Sequence, residues 1–296
     1  MIKIMTILGA RPQFIKAAML SRLFSFDLMI SERFVHTGQL FDLGMSAIFF
    51  EEMSIPSPSH HLNIHSLSHG AMTGRMLEAL EMIFLDEKPD AVLVYGDTNS
   101  TLAGALAAAK LQIPVIHVEA GIRSDYYLPE EVNRVLTDQL SDYLFCPSKK
   151  ACALLLQTGI SSDKIFFSGD IMYDSTLSFI KKFNMKYLVD LGIKHNEYVY
   201  ITLHREENTS NEDRLRLIVD QIIKISKNNT VVFSLHPGTK NKLVAAGLYE
   251  ALERVLLFIP PQSYVNSLGL CAHAKLVVTD SGGLQKEAYY LERPTF

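Results

Sequence analysis

The stretch Val92-Leu93-Val94-Tyr95-Gly96-Asp97-Thr98, together with Val115-Ile116-His117-Val118-Glu119-Ala120-Gly121 downstream, decides the fold of this chain. Each stretch begins with a short apolar run typical of a buried strand and ends in a carboxylate, and an Ala-rich helical segment separates them. A strand, a helix and a second strand of this kind predict a parallel sheet, whose carboxyl ends form one edge of a ligand-binding crevice. We therefore expect Asp97 and Glu119 to lie on one wall of a cleft.

The two acids also indicate what kind of reaction the cleft could support. A further acidic pair follows in Pro129-Glu130-Glu131. Carboxylates that are close together and desolvated repel, so one tends to hold a proton while another is ionised. The pattern is typical of an acid/base pair.

The same strand-helix alternation extends in both directions from this centre. It predicts strands at 2–8, 28–36, 91–95, 115–118 and 143–146, with helices near 12–24, 67–86, 99–110 and 130–141. A second series predicts strands at 198–203, 230–235, 255–259 and 275–279, with helices near 211–227, 239–246, 262–272 and 282–291. The fold class is therefore α/β, with two Rossmann-like, doubly wound parallel-sheet domains facing across a cleft. We place the domains at residues 1–168 and 169–296.

Composition and charge exclude several classes of function and partner. The 296 residues carry a formal net charge of -4 and no basic block, so neither nucleic acid nor an anionic membrane is an expected partner. Cys146, Cys152 and Cys271 have no C-x-x-C spacing, which favours structural thiols in a reducing compartment. The first residues are typical of a strand and not of a secretory signal, and no apolar run approaches the roughly 20 residues of a membrane span. We expect a cytoplasmic protein.

A histidine cluster raises the question of a metal site. His60, His61, His65 and His69 have spacings that could place three of them on one helix face. The segment from His61 follows two prolines, however, and its pattern is that of a short extended piece without an acidic or Cys partner nearby in sequence. A polar loop is favoured, and no metal is expected.

The second half offers a phosphate site. The apolar strand ending at Thr279 leads into Asp280-Ser281-Gly282-Gly283-Leu284-Gln285-Lys286-Glu287, a strand-to-helix turn. Glycines allow a phosphate to approach backbone N–H groups at a helix N-terminus, and Glu287 could reach a ribose hydroxyl pair. An ordinary Ser N-cap on a surface helix is the alternative.

In the first half of the chain, two cationic residues lie at a strand-to-helix turn of the same kind. Gly9-Ala10-Arg11-Pro12 follows the first strand, is not a G-x-G-x-x-G motif, and places Arg11 and Lys16 at a helix N-terminus, where an anionic ligand would explain them. A solvated Lys on a helix is the alternative for Lys16. Two further strand ends carry His204 and His236, for which a polar cluster at a helix N-terminus is the alternative.

Six collinear motifs resemble those of one family, the non-hydrolysing UDP-N-acetylglucosamine 2-epimerases, whose fold is GT-B-like. The motifs are Gly9-Ala10-Arg11-Pro12 with Lys16, Gly96-Asp97-Thr98, His117-Val118-Glu119-Ala120-Gly121-Ile122-Arg123, Pro129-Glu130-Glu131-Val132-Asn133-Arg134, His204-Arg205-Glu206-Glu207-Asn208 and Asp280-Ser281-Gly282-Gly283-Leu284-Gln285-Lys286-Glu287. The resemblance covers essentially the whole chain.

The resemblance implies a cofactor-free inversion at C2 of UDP-N-acetylglucosamine, or a related UDP-amino sugar, by elimination and re-addition of UDP. It also implies a homodimer that supplies precursors of surface polysaccharides. The catalytic residues that it implies are Asp97, Glu119, Glu130 and His204. The substrate-binding residues are Arg11, Lys16, Arg134, His236, Gln262, Ser267, Ser281, Gly282, Gly283 and Glu287.

The chain departs from the family in three places. Leu40 stands where the family usually has His beside a regulatory site, and the loop 124–128 is shorter than usual. The sequence stops at Phe296, inside what should be the next strand, so we expect a second domain that lacks its last elements. A hydrolysing epimerase, a GT-B glycosyltransferase and an inactive sugar-nucleotide-binding protein are the alternative functions.

Overall fold

A computed structural model describes residues 1–39, 50, 52–124 and 128–296. The chain divides into two compact units, Met1–Ser175 and Thr176–Phe296. Two departures from the family, Leu40 and most of the loop 124–128, lie outside the described residues.

The first unit is built on a parallel sheet in the order β3-β2-β1-β4-β5-β6-β7. Its strands are β1 Ile2–Leu8, β2 Ile30–His36, β3 His60–His61, β4 Ala91–Tyr95, β5 Val115–Val118, β6 Tyr143–Cys146 and β7 Ile165–Phe167. The order reverses between β1 and β4, which is the position where doubly wound sheets bind ligands. Tyr95 pairs with Val118, so the residues that follow β4 and β5 lie at the same level of this edge.

Helices connect these strands. They are α1 Arg11–Phe24, α2 His69–Glu87, α3 Asn99–Lys110, α4 Pro129–Leu140 and α5 Lys149–Gln157. A further helix, α6 Ile171–Phe179, follows β7 and contains the boundary between the two units. Thr98 caps α3 by accepting a hydrogen bond from the Thr101 N–H at 3.2 Å. A Cβ at Gly104 of α3 would lie 3.1 Å from Ile7 and 3.2 Å from Val94, so small residues let this helix pack closely on the sheet.

The second unit has a four-stranded parallel sheet in the order β10-β9-β8-β11. Its strands are β8 Tyr198–Thr202, β9 Thr230–Ser234, β10 Leu257–Ile259 and β11 Leu276–Thr279. Its helices are α7 Lys186–Asp190, α8 Glu206–Thr209, α9 Glu212–Ser226, α10 Pro237–Ala245, α11 Tyr249–Glu253, α12 Tyr264–Ala272 and α13 Gly282–Tyr290. Thr202 pairs with Thr279, so the segments after β8 and β11 emerge side by side.

Burial of both faces explains the continuous apolar run Tyr198-Val199-Tyr200-Ile201 of β8. Tyr198 and Tyr200 of β8 pack into one cluster of buried side chains, whereas Val199 and Ile201 pack into another. Alternate residues of a strand face opposite sides of the sheet, so both sides of β8 are covered. Continuous apolar runs are typical of parallel sheets buried in this way.

The observed elements confirm the α/β, Rossmann-like fold predicted from the sequence. The predicted strands are all present, but β2 begins at Ile30 instead of residue 28 and β10 begins at Leu257 instead of residue 255. His60–His61 forms β3, which overlaps the extended piece expected at 61–64 only at His61. Within the described residues, no helix has the length and apolar character needed to cross a membrane.

Candidate active site

Asp97 follows β4 after Gly96, whose φ of 65° lies in the left-handed region. Its carboxylate accepts a hydrogen bond from Nη2 of Arg134 in α4, and the pair is partly buried. The other terminal nitrogen of Arg134 donates to Glu131 at 2.7 Å and to the Ser124 hydroxyl at 3.1 Å. The guanidinium of Arg134 is therefore held between two carboxylates.

Glu119 follows β5 directly and has a φ of 71°, which is uncommon for any residue other than glycine. Its carboxylate is ion-paired with Lys16 of α1, and the two side chains are only 12% and 9% exposed. A Cβ added to Gly96 would lie 3.4 Å from Glu119 Oε2 and 3.6 Å from Lys16 Nζ. The Lys16–Glu119 pair thus lies against the turn that leads into Asp97.

These ion pairs bear on two expectations from the sequence. Lys16 is not a solvated helix lysine, because it is buried and paired with Glu119. The expected repulsion between neighbouring carboxylates is offset by cations, since Glu119 is paired with Lys16 and Asp97 shares Arg134 with Glu131. The arrangement is two ion pairs at one sheet edge.

Gln13, which the sequence did not single out, links the first loop to the end of β4. Its Oε1 accepts from the backbone N–H groups of residues 9 and 10, at 2.8 and 3.0 Å. Its Nε2 donates to the Tyr95 carbonyl oxygen at 2.8 Å and to the Thr98 hydroxyl at 3.0 Å. The loop that leads into Arg11 at the start of α1 is therefore fixed to the same edge as Asp97.

Glu130 differs from the other two acids. It lies exposed in the first turn of α4, and its side chain makes no hydrogen bond or ion pair with the residues that the structure describes. Arg134 follows it by four residues, so the two lie on the same face of the helix.

In the second unit, His204 follows β8 and Asp280 follows β11. His204 Nδ1 lies 3.1 Å from Asp280 Oδ1. The same carboxylate accepts from the backbone N–H groups of His204 and Arg205, at 3.1 and 2.8 Å, and from the Asn208 amide at 3.1 Å. Burial alone would raise the pKa of Asp280, but the hydrogen bonds from His204, Arg205 and Asn208 outweigh it and hold the pKa well below its usual range. Asp280 is therefore an anion that orients the His204 ring.

The turn after β11 begins α13. Ser281 caps the helix by accepting from the Leu284 N–H at 3.4 Å, as the simpler interpretation predicted. A Cβ at Gly282 would lie 3.7 Å from Nη2 of Arg205, so this cation lies beside the glycine-containing turn. A cap and an anion site are compatible, because the first N–H groups of a helix have no partner within it. Gly283 follows in the same turn.

The remaining predicted contacts occupy the second unit. Glu287 of α13 is buried. Gln262 is also buried, accepts from the Tyr187 hydroxyl and donates to the Pro260 carbonyl oxygen at 2.6 Å. The Ser267 hydroxyl lies 3.3 Å from that of Tyr200. The exposed His236 caps α10, and its Nδ1 accepts from the Gly238 N–H at 3.2 Å.

Gly121 lies in the closely packed turn that follows Glu119, and its replacement by Ala tests this packing. Its φ is 76°, and an added Cβ would lie 2.7 Å from the Ala151 carbonyl oxygen. We expect Gly121→Ala to destabilise the protein by about 1–2 kcal/mol from the left-handed backbone and about 1–3 kcal/mol more from the clash. Urea denaturation measures the sum.

Gly159→Ala is the matched control. Gly159 has a φ of 86° but nothing within 4 Å of an added Cβ, so its replacement carries only the backbone cost. Equal destabilisation in the two variants would contradict the close packing at Gly121.

The two α/β units carry charged groups at the ends of their strands, where such sheets bind ligands: ion-paired carboxylates in one, and a His-Asp pair beside a glycine-containing turn in the other. This arrangement suits an enzyme that acts on a phosphate-bearing ligand. The sequence profile of the family described as UDP-N-acetylglucosamine 2-epimerase matches residues 26–296. The chain belongs to this family and is an isomerase with a GT-B-like fold.

Individual relatives agree. The UDP-N-acetylglucosamine 2-epimerase homolog of Methanococcus maripaludis is 48% identical over 99% of this chain and 82% of its own length. The UDP-2,3-diacetamido-2,3-dideoxy-D-glucuronate 2-epimerase of Pseudomonas aeruginosa is 47% identical over the same shares. The crystal structure of Methanocaldococcus jannaschii UDP-GlcNAc 2-epimerase in complex with UDP-GlcNAc and UDP has a TM-score of 0.89 and 43% identity, with 99% of this chain and 83% of that chain covered.

Proposed function

We propose that this chain inverts the configuration at C2 of UDP-N-acetylglucosamine to give UDP-N-acetylmannosamine, by eliminating UDP and adding it back. The observation that carries the proposal is the pair of strand-end carboxylates, Asp97 with Arg134 and Glu119 with Lys16. Membership of an epimerase family gives this geometry its chemical meaning.

The chemistry explains why such groups are needed. The C2 proton of an acetamido sugar is not acidic, so it is removed once the anomeric C–O bond breaks and its electron pair leaves with UDP. The neighbouring carbon is then oxocarbenium-like, and a carboxylate takes the C2 proton to give a glycal. Re-addition of UDP to C1 and return of a proton to the opposite face of C2 complete the inversion.

The first unit supplies the carboxylates for these steps. We assign Asp97, Glu119 and Glu130 to proton transfer and to stabilisation of the positive charge on the sugar. Lys16 and Arg134 support the assignment, because they keep two of these acids in fixed positions. Arg11 is assigned to substrate binding.

The second unit supplies the contacts to UDP. Ser281, Gly282 and Gly283 provide backbone N–H groups and a helix N-terminus for the pyrophosphate, and His204 favours the departure of UDP. We assign a further set of residues to the rest of the nucleotide. They are Glu287 for the ribose, Gln262 and Ser267 for the uracil, and His236 as a further contact.

A second substrate has support of its own. The relative from Pseudomonas aeruginosa, named for UDP-2,3-diacetamido-2,3-dideoxy-D-glucuronate, is 47% identical to this chain. The same elimination and re-addition at C2 would serve that sugar, so it is the second candidate.

Exchange at C2 in deuterated water is the test. We expect UDP-N-acetylglucosamine incubated with the protein to gain deuterium at C2 and to equilibrate with UDP-N-acetylmannosamine, as followed by NMR. The diacetamido sugar is measured in parallel to decide between the two substrates. Release of free sugar would indicate the hydrolysing reaction, and no exchange with either sugar would refute the proposal.

We also propose that the chain acts in the cytoplasm as a homodimer that supplies precursors for surface polysaccharides. The three cysteines without C-x-x-C spacing support a reducing compartment. Light scattering of the purified protein tests the dimer.

A further inference from the structure

Asp138 is the most completely buried carboxylate near the two ion pairs. It lies on α4, and its side chain has no solvent exposure. It does not belong to the groups assigned to the substrate. A buried charge requires partners, so its contacts indicate what it stabilises.

The first contact of Asp138 is with the Glu119 turn. Its two oxygens accept from the Gly121 N–H, each at 3.3 Å. Gly121 stands two residues after Glu119, and both residues have left-handed backbones. Glycine adopts this conformation readily, but Glu119 keeps it only where its surroundings hold it, and Asp138 is one of the groups that hold this turn.

The second contact reaches the Asp97 turn through an imidazole. Asp138 Oδ1 lies 2.9 Å from His117 Nδ1, and His117 Nε2 lies 2.8 Å from the Gly96 carbonyl oxygen. A carbonyl oxygen only accepts, so Nε2 carries a hydrogen and donates to Gly96. The His117 side chain is fully buried, so bulk water does not compete for these two hydrogen bonds.

The third contact reaches Asp97 through side chains. Arg123 Nη1 donates to Asp138 Oδ2 at 2.7 Å, and Arg123 Nε lies 3.6 Å from Glu131. Glu131 accepts from Arg134, which is paired with Asp97. Asp138 is thus joined to the Asp97 turn by a backbone route and by a side-chain route.

We infer that Asp138 is a positioning residue that fixes the turns carrying Asp97 and Glu119 relative to each other. It acts through His117 on one turn and through the Gly121 N–H on the other. The inference rests on the proposed function, because it assigns those two acids to the reaction. Asp138 itself does not touch the substrate.

The kinetic test compares Asp138→Ala with Asp138→Asn. The alanine variant loses all three contacts, and we expect kcat to fall about 10- to 100-fold, as for other groups that orient a reacting residue. KM is expected to change less than about threefold, since UDP contacts lie elsewhere. The asparagine variant can accept from Gly121 and Arg123 and donate to His117 Nδ1, so it should restore kcat to within about fivefold of the wild type.

A second variant and a control separate positioning from folding. His117→Phe keeps a ring of similar shape but removes the donor to Gly96, and it should lower kcat in the same direction. Leu80→Ala is the control, since Leu80 is fully buried in α2 and its loss destabilises the first unit without these contacts. Thermal denaturation gives the folded fraction of each variant, and kcat is compared per folded molecule.

Hydrogen-deuterium exchange makes the test independent of activity. In Asp138→Ala we expect faster amide exchange in two segments, 96–97 and 119–121, with no such rise in Leu80→Ala. If the wild type turns over neither UDP sugar, the proposed function fails while this exchange still decides the role of Asp138. Folded Asp138→Ala and His117→Phe with kcat within about twofold of the wild type and unchanged exchange would overturn the inference. If Asp138→Ala does not fold, His117→Phe decides it alone.

Discussion

Replacing Asp97 by Asn or Glu119 by Gln is expected to lower turnover by about 10²–10⁴ while the protein remains folded. Each change removes an ionisable group that we assign to proton transfer but keeps the shape of the side chain. The amide oxygen that Asp97→Asn introduces can still accept a hydrogen bond from Arg134, so this contact is retained without the negative charge. The initial rate of C2 deuterium exchange measures the loss directly.

Glu78→Gln is the matched control for removal of a carboxylate. Glu78 lies on α2, is 73% exposed and pairs only loosely with Arg75 at 3.5 Å, so its loss should leave exchange unchanged. Circular dichroism reports folding in each variant. Near-wild-type exchange in Asp97→Asn or Glu119→Gln would remove that residue from the mechanism.

Glu130→Gln tests whether an acid that lies outside the ion pairs takes part in the same reaction. Glu130 is exposed and has no partner among the described residues, whereas the other two acids are held in ion pairs. An effect of this variant on turnover would not arise from breaking an ion pair of the described residues, and contact with the substrate is the role that we propose for Glu130.

Much of the fold follows from local sequence. Strands β4 and β5 could be predicted because both faces of the sheet are buried, which makes all their residues apolar except His117 of β5. Strand β7 was not predicted: it has three residues, and Phe166 and Phe167 are exposed, so its pattern resembles a loop with aromatic side chains. Helix α5 was also missed, although its Ser148 cap was a readable signal.

The candidate site was only partly predictable. Asp97 and Glu119 could be found because they end adjacent parallel strands. Their pairing with cations could not, because Lys16 lies 103 residues from Glu119 in sequence and Arg134 lies 37 from Asp97. Local patterns carry no information on such long-range pairs, and they also leave a buried acid such as Asp138 indistinguishable from a surface residue of α4.

The two units stabilise their partly buried carboxylates in different ways. Burial of the first unit's acids is offset by full charges, as in Lys16–Glu119. Asp280 in the second unit is stabilised mainly by hydrogen bonds, two of them from backbone N–H groups. A backbone donor cannot rotate away, so the anion that orients His204 is fixed by the chain itself.

His204→Asn is expected to lower turnover by about 10²–10³ and to leave the dissociation constant of UDP nearly unchanged. The reason is that a donor at this position contributes most when negative charge develops on the departing UDP. Turnover is measured by C2 exchange and UDP binding by calorimetry. His236→Asn is the matched comparison, because Asn also caps a helix and His236 is assigned to binding; it should weaken affinity more than turnover.

Asp280→Asn removes the carboxylate that orients the His204 ring but keeps His204 itself. Because hydrogen bonds hold the pKa of Asp280 below its ordinary value of 3.8, the carboxylate adds stability above that pH and loses it as the pH falls further. The variant should therefore be less stable than the wild type at pH 7, and the difference should shrink as the pH falls below about 3.8. It should also share the turnover loss of His204→Asn, and the double variant should be little worse than either single one. Additive losses would mean that Asp280 acts independently of His204, and unchanged turnover would mean that it serves the fold alone.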